Sequence, residues 1–114
     1  FKKNEVKLSF DFDPTLQQIE LKKEIKANVI SIVKELISNS QVHAKELSKI
    51  SLSILKKEDV LEINVTDNGK LQEKNNKPGV GLKNIQRRIS SLGGEFSMKS
   101  TTVGTTSICI LPIL

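Results

Sequence analysis

The spacing of apolar residues changes period repeatedly along this chain, and the order of those changes limits what it can fold into. From about Leu16 to Ser40, the residues Ile25, Val29, Ile32, Val33, Leu36 and Ile37 recur at helical spacing, which predicts one long amphipathic helix. Before it, residues 5 to 12 (Glu-Val-Lys-Leu-Ser-Phe-Asp-Phe) alternate polar and apolar and read as a half-buried strand ended by Asp13-Pro14. After it, with Gln41 to Lys45 as the expected exit loop, alternation returns twice, through Ile50, Leu52 and Ile54 and then through Val60, Leu61, Ile63 and Val65. The intervening Lys56-Lys57-Glu58-Asp59 makes residues 48 to 56 and 59 to 66 a hairpin. Asp67-Asn68-Gly69 supplies strong turn chemistry, and residues 70 to 78 read as a polar surface loop. Helical spacing resumes at Leu82, Ile85, Ile89 and Leu92, in a helix opening at Gly79 and stopped by Gly93-Gly94. Two last strands, 95 to 100 and 105 to 111, meet around Val103-Gly104. The order β, long α, β, β, loop, α, β, β predicts an α/β two-layer sandwich: a mixed, mainly antiparallel sheet with its helices on one face. At 114 residues the whole span, 1–114, is expected to be a single domain.

With four Phe and neither Trp nor Tyr, the core must be aliphatic. The net charge of +5 suits a polyanionic partner. Nucleic acid is disfavoured among these, because the lysines are scattered and the aromatics, Phe1, Phe10, Phe12 and Phe96, form no stacking platform. The single cysteine, Cys109, lies in the apolar run ending at Leu114 and is expected to be a small buried residue, with no internal disulfide to make. No stretch approaches the ~20 apolar residues of a membrane span. A chain that starts at Phe1 rather than Met reads as a piece of a larger protein.

Pro78-Gly79-Val80-Gly81-Leu82 turns a flexible backbone into a helix start. The unpaired N–H groups there favour an anion such as phosphate, although an ordinary loop explains the glycines equally well. Glu35 and Asn39 project from one helix face a turn apart, either as part of the polar face or as a hard-oxygen grip for Mg2+. His43, the only histidine, stands one turn further on and reads as structural. Asp67 is either a turn residue bonding backbone N–H groups or a fixed carboxylate that accepts from an amino group such as that of adenine, with Gly69 leaving room for the ring.

In order, Glu35-Leu-Ile-Ser-Asn39-Ser-Gln-Val-His43-Ala44, Asp67-Asn68-Gly69, Gly79-Val-Gly81-Leu82-Lys-Asn-Ile and Gly104-Thr105 before a strand ending at Pro112 resemble the ATP-binding catalytic domain of a bacterial sensor histidine kinase. The subgroup most resembled pairs with LuxR-type response regulators. The resemblance spans essentially residues 5 to 112 and implies a Bergerat-type ATP-binding fold with ATP and Mg2+ as cofactors. It implies that Asn39 coordinates Mg2+ with Glu35 beside it, as catalytic and metal residues. It further implies that Asp67 and Gly69 receive adenine, that Gly79, Val80, Gly81 and Leu82 present N–H groups to the phosphates, and that His43 and Thr105 border the nucleotide. Residues 70 to 78 correspond to the lid. Two positions depart from the family pattern: Val42 stands where a lysine usually precedes the histidine, and Leu71 where a second glycine commonly follows Asp-x-Gly.

The expected activity is donation of the γ-phosphate of Mg-ATP to a histidine on a dimerisation domain outside this chain, in two-component signalling. A response regulator stands downstream, the isolated chain is a monomer, its parent is a homodimer, and the domain is cytoplasmic in a parent whose membrane anchoring is open. The rival expectations are a degenerate nucleotide-binding or protein-interaction module without turnover, motivated by Val42 and Leu71, and an anti-sigma-factor-like serine kinase on the same fold.

Overall fold

A computed structural model describes residues 6–18, 20–71 and 80–113. Strand β1 (Lys7–Phe12) leads through a 3-10 turn (Pro14–Gln18) to helix α1 (Lys23–His43), and then come β2 (Ala44–Lys45), β3 (Lys49–Lys57), β4 (Val60–Asp67) and β5 (Lys70–Leu71). Helix α2 (Val80–Ser91) and the hairpin of β6 (Glu95–Thr101) and β7 (Gly104–Pro112) complete the chain. Five strands form one sheet in the order β1-β3-β4-β7-β6. Among the described strands of this sheet only the β1–β3 pairing is parallel, as a strand-helix-strand crossover requires; β3–β4, β4–β7 and β6–β7 are antiparallel. The mixed sheet with helices on one face is therefore as expected.

The register explains the layering. Ile50, Leu52 and Ile54 on β3 stand opposite Asp67, Val65 and Ile63 on β4, and Leu61, Ile63 and Val65 stand opposite Leu111, Cys109 and Ser107 on β7. These side chains share one face, on which Ile32 and Leu36 from α1 and Ile85 and Ile89 from α2 close an aliphatic core that includes Cys109. Helix α1 lies over β4, and α2 over β6 and β7. Gly93, with φ 78°, stops α2: its N–H reaches Ser90 O and that of Gly94 reaches Ile89 O at 2.9 Å, which satisfies carbonyls at the helix end.

Four local expectations need correction. Helix α1 begins at Lys23 rather than near Leu16, because Asp13 closes a separate turn: its Oδ1 accepts from Thr15 N and Thr15 Oγ1, its carbonyl accepts from Leu16 N, and that turn packs on β3. The helix runs on to His43, and the remainder of the expected exit loop, Ala44–Lys45, pairs with Lys70–Leu71 as a small second sheet, so the loop expected over 70 to 78 opens as a strand. Strand β1 is not half-buried. Leu8, Phe10 and Phe12 lie on the same side as the core residues of β3, but β1 is the sheet edge, two strands from the β4 that α1 covers, and Phe10 is 56% exposed with its ring 5.9 Å from that of Phe12. The rest of the expected lid, residues 72 to 78, lies outside the described residues.

Candidate functional site

Asp67 is the one carboxylate of the described chain placed in the core, 5% exposed at the end of β4. Burying it alone would be costly, and both oxygens are partnered. Oδ1 accepts the N–H of Gly69 at 3.0 Å, and Oδ2 accepts the hydroxyl of Ser40 at 2.7 Å. The first bond is the turn chemistry that Asp-Asn-Gly suggests. The second ties the strand end to α1. A carboxylate has room for about four hydrogen bonds, so each oxygen keeps an acceptor position for a ligand donor. The two readings of Asp67, turn residue and ligand acceptor, are thus compatible.

Its neighbours hold it in place. Asn68 Oδ1 accepts from the backbone N–H groups of Ser48 (3.1 Å) and Lys49 (2.9 Å), its Nδ2 donates to Ser48 Oγ, and its N–H donates to Lys49 O. The middle residue of the turn therefore clamps the start of β3 rather than facing a ligand. Thr105 stands directly opposite Asp67 in the β4–β7 register and shares a hydrogen bond with Ser100 Oγ at 3.1 Å. Gly104 lets β7 approach the turn closely, since a Cβ there would lie 2.2 Å from the Asp67 carbonyl oxygen. Gly69 is buried.

Ser40, Asp67, Gly69, Gly104 and Thr105 are thereby gathered at one end of the sheet. Glu35 and Asn39 are half-buried one turn apart on α1, on the stripe about 100° round from Ile32, Leu36 and Ser40. Among the described residues no group of three or more His, Cys, Asp or Glu is placed to hold a metal. One carboxylate and one amide oxygen nonetheless suit Mg2+, which takes few protein ligands and keeps water and phosphate for the rest. Val80, Gly81 and Leu82 form the first turn of α2, where backbone N–H groups lack helical partners. His43 ends α1 and Val42 precedes it; their side chains, like those of Val80 and Leu82, lie outside the description, as does Gly79 altogether. Leu71, where the family pattern commonly has a glycine, is in β5 opposite Ala44. A groove of about 540 Å³ along β6, lined by Gln86, Ser90, Phe96, Ile108 and Ile110, includes none of these residues.

Sequence reasoning missed Ser40 and the clamp made by Asn68. A signal for Ser40 was available: it continues the core-facing series Ile32, Leu36 by four residues, so a hydroxyl falls where an apolar side chain belongs. Nothing in the sequence marks which backbone groups Asn68 reaches.

A family model described as histidine kinase-, DNA gyrase B-, and HSP90-like ATPase matches residues 25–114. Sensor protein VraS of Staphylococcus epidermidis is 31% identical over 96 residues, covering 82% of this chain and 27% of that protein, so the chain spans about a quarter of the length of the curated relatives it matches. Among solved structures, the Erythrobacter litoralis EL346 blue-light activated histidine kinase matches with a TM-score of 0.81 at 18% identity, covering 97% of this chain and 36% of that one. The catalytic domain of histidine kinase ThkA matches with a TM-score of 0.73 at 16% identity, covering 95% and 78%. At these identities the structural likeness speaks for the fold. No described helix is long and apolar enough to cross a membrane.

Proposed function

The chain belongs to the histidine kinase-, DNA gyrase B- and HSP90-like ATPase family, and from that premise we propose that it is the Mg-ATP-binding catalytic domain of a sensor histidine kinase. The buried, doubly bonded Asp67 carboxylate carries this reading. Its free acceptor positions suit the amino group of adenine, and Gly69 keeps a side chain out of the ring's way. The N–H groups of Val80, Gly81 and Leu82 at the start of α2 receive phosphate oxygens, with the helix dipole behind them. Asn39 and Glu35 hold Mg2+, which when bound neutralises phosphate charge; Thr105 and His43 border the nucleotide. Phosphoryl transfer asks mainly for such positioning and charge neutralisation.

The nucleophile comes from elsewhere, because the only histidine, His43, falls within the nucleotide motif. The acceptor is a histidine on a dimerisation domain of the parent protein, a homodimer that serves a response regulator of the LuxR-paired type. This chain alone is a monomer and faces the cytoplasm, where ATP is held. A rival reading, a nucleotide-binding module without turnover, is favoured by Leu71 lying in a strand opposite Ala44 where the family pattern has a glycine.

Calorimetric titration with ADP and a non-hydrolysable ATP analogue, with and without Mg2+, tests the proposal. Affinity is expected to fall sharply in Asp67→Asn, and the Mg2+ effect to be lost or altered in Asn39→Asp. A folded wild type that binds neither nucleotide would refute it, whereas acid-labile phosphate on His43 after incubation with ATP would refute only the statement that the nucleophile comes from elsewhere. Binding without transfer to a supplied dimerisation domain would select the module.

A further inference from the structure

Ser40 so far only ties α1 to the end of β4, yet its hydroxyl is the one described side-chain donor to the buried carboxylate, 2.7 Å from Asp67 Oδ2 across 27 residues of sequence. We infer that Ser40 is a positioning residue that sets the purine preference of this site through Asp67. The inference rests on the adenine-nucleotide reading above. Ser40 sits on the core-facing stripe of α1 after Ile32 and Leu36, both buried, so its only described polar partner is that carboxylate.

The geometry makes the pair an acceptor. A hydroxyl has a single hydrogen, and here it is committed to Asp67; the carboxylate has none to give. With Gly69 N–H on Oδ1 and Ser40 on Oδ2, both oxygens are also fixed in direction. A ligand edge that donates, such as the 6-amino group of adenine, is accepted. A 6-oxo purine presents a lone pair to lone pairs and is rejected, because neither Ser40 nor Asp67 can turn a donor toward it. Without the hydroxyl, Oδ2 loses a fixed partner and the vacated space can admit water. Water, unlike the committed hydroxyl, can donate to the 6-oxo group while accepting nothing from it. Discrimination then weakens in a way that mere loss of packing does not produce.

The test is calorimetric titration of the chain with ADP and with inosine diphosphate, for wild type, Ser40→Ala, Ser40→Cys, Ser40→Thr, Asp67→Asn and the double variant Ser40→Ala/Asp67→Asn, with thermal unfolding of each. Ser40→Ala is expected to weaken ADP binding roughly tenfold, as loss of a hydrogen bond to a charged group implies, while inosine diphosphate binding holds or improves. Ser40→Cys, which keeps the volume but donates weakly, is expected to shift the ratio in the same direction if the alanine variant fails to fold. Ser40→Thr is expected to restore it. In the Asp67→Asn background, Ser40→Ala is expected to change neither affinity further. Equal losses for both nucleotides, or an undiminished Ser40→Ala effect in that background, overturn the role of Ser40 alone. A folded wild type that binds no ADP overturns the nucleotide reading and this inference together.

Discussion

Gly104→Ala should damage stability and nucleotide binding at once, and the size of the effect follows from one distance. The new Cβ would lie 2.2 Å from the carbonyl oxygen of Asp67, 3.3 Å from its carbonyl carbon and 3.4 Å from Asn68 Cα. An ordinary carbon–oxygen approach is roughly 3.3 Å, so the strands must part by about 1 Å at this point. Every contact is with backbone, so no rotamer change relieves it. The parting falls beside the Asp67–Thr105 rung. Overpacking of this kind costs about 1–3 kcal/mol and a weakened backbone hydrogen bond about 1 kcal/mol more, which for a domain of this size lowers Tm by about 10 °C. Displacing the carboxylate by even one hydrogen bond's worth should weaken ADP binding roughly tenfold in the folded protein. Gly94→Ala is the control. Its Cβ would lie 2.3 Å from Ile110 O and 3.0 Å from Ile89 Cγ2, an equal clash at the other end of β7, away from Asp67. It should lower Tm comparably and leave ADP affinity unchanged. Thermal unfolding and calorimetry, the latter well below each Tm, decide the matter. A Gly104→Ala variant that melts with wild type and binds ADP normally would mean that β7 does not approach the turn as closely as described.

Two further outcomes follow from particular residues. Burial pushes the Cys109 thiol from 9.0 up to about 12; above pH 9 the unfolded chain therefore releases this proton while the folded chain keeps it. The stabilisation is complete below pH 9 and is lost as pH rises toward 12. Urea midpoints measured below and above pH 9 should fall less steeply in Cys109→Ala, and rapid reaction of the native thiol with an aromatic disulfide would contradict its burial. Asn68→Ala removes the acceptor for two backbone N–H groups, those of Ser48 and Lys49, and should cost about 1–3 kcal/mol in a urea titration, whereas an unaltered midpoint would show that water replaces the clamp without loss.

The alternation of Ile63 and Val65, and the helical recurrence of Ile32, Leu36, Ile85 and Ile89, made the layers legible, because period alone assigns a residue to one face of a strand or one stripe of a helix. The resemblance in the motif residues likewise marked Asn39, Asp67 and the start of α2 in the linear chain. Period carries no information about sheet order or coverage, however. Strand β1 alternates as a half-buried strand does, yet Phe10 and Phe12 are exposed, because β1 is the sheet edge and α1 lies over β4, two strands away. The start of α1 was misread for a similar reason: Leu16 keeps helical spacing, but Asp13 satisfies the local N–H groups in a separate turn. The sequence by itself therefore determined the layers and the family, and named the candidate residues of the site. Only the tertiary structure decided that Ser40 meets Asp67, that Asn68 clamps β3 and that Gly104 must be bare. Those are contacts between elements far apart in the chain, and their direction depends on how the helix and the strands cross rather than on the spacing of residues within any one of them.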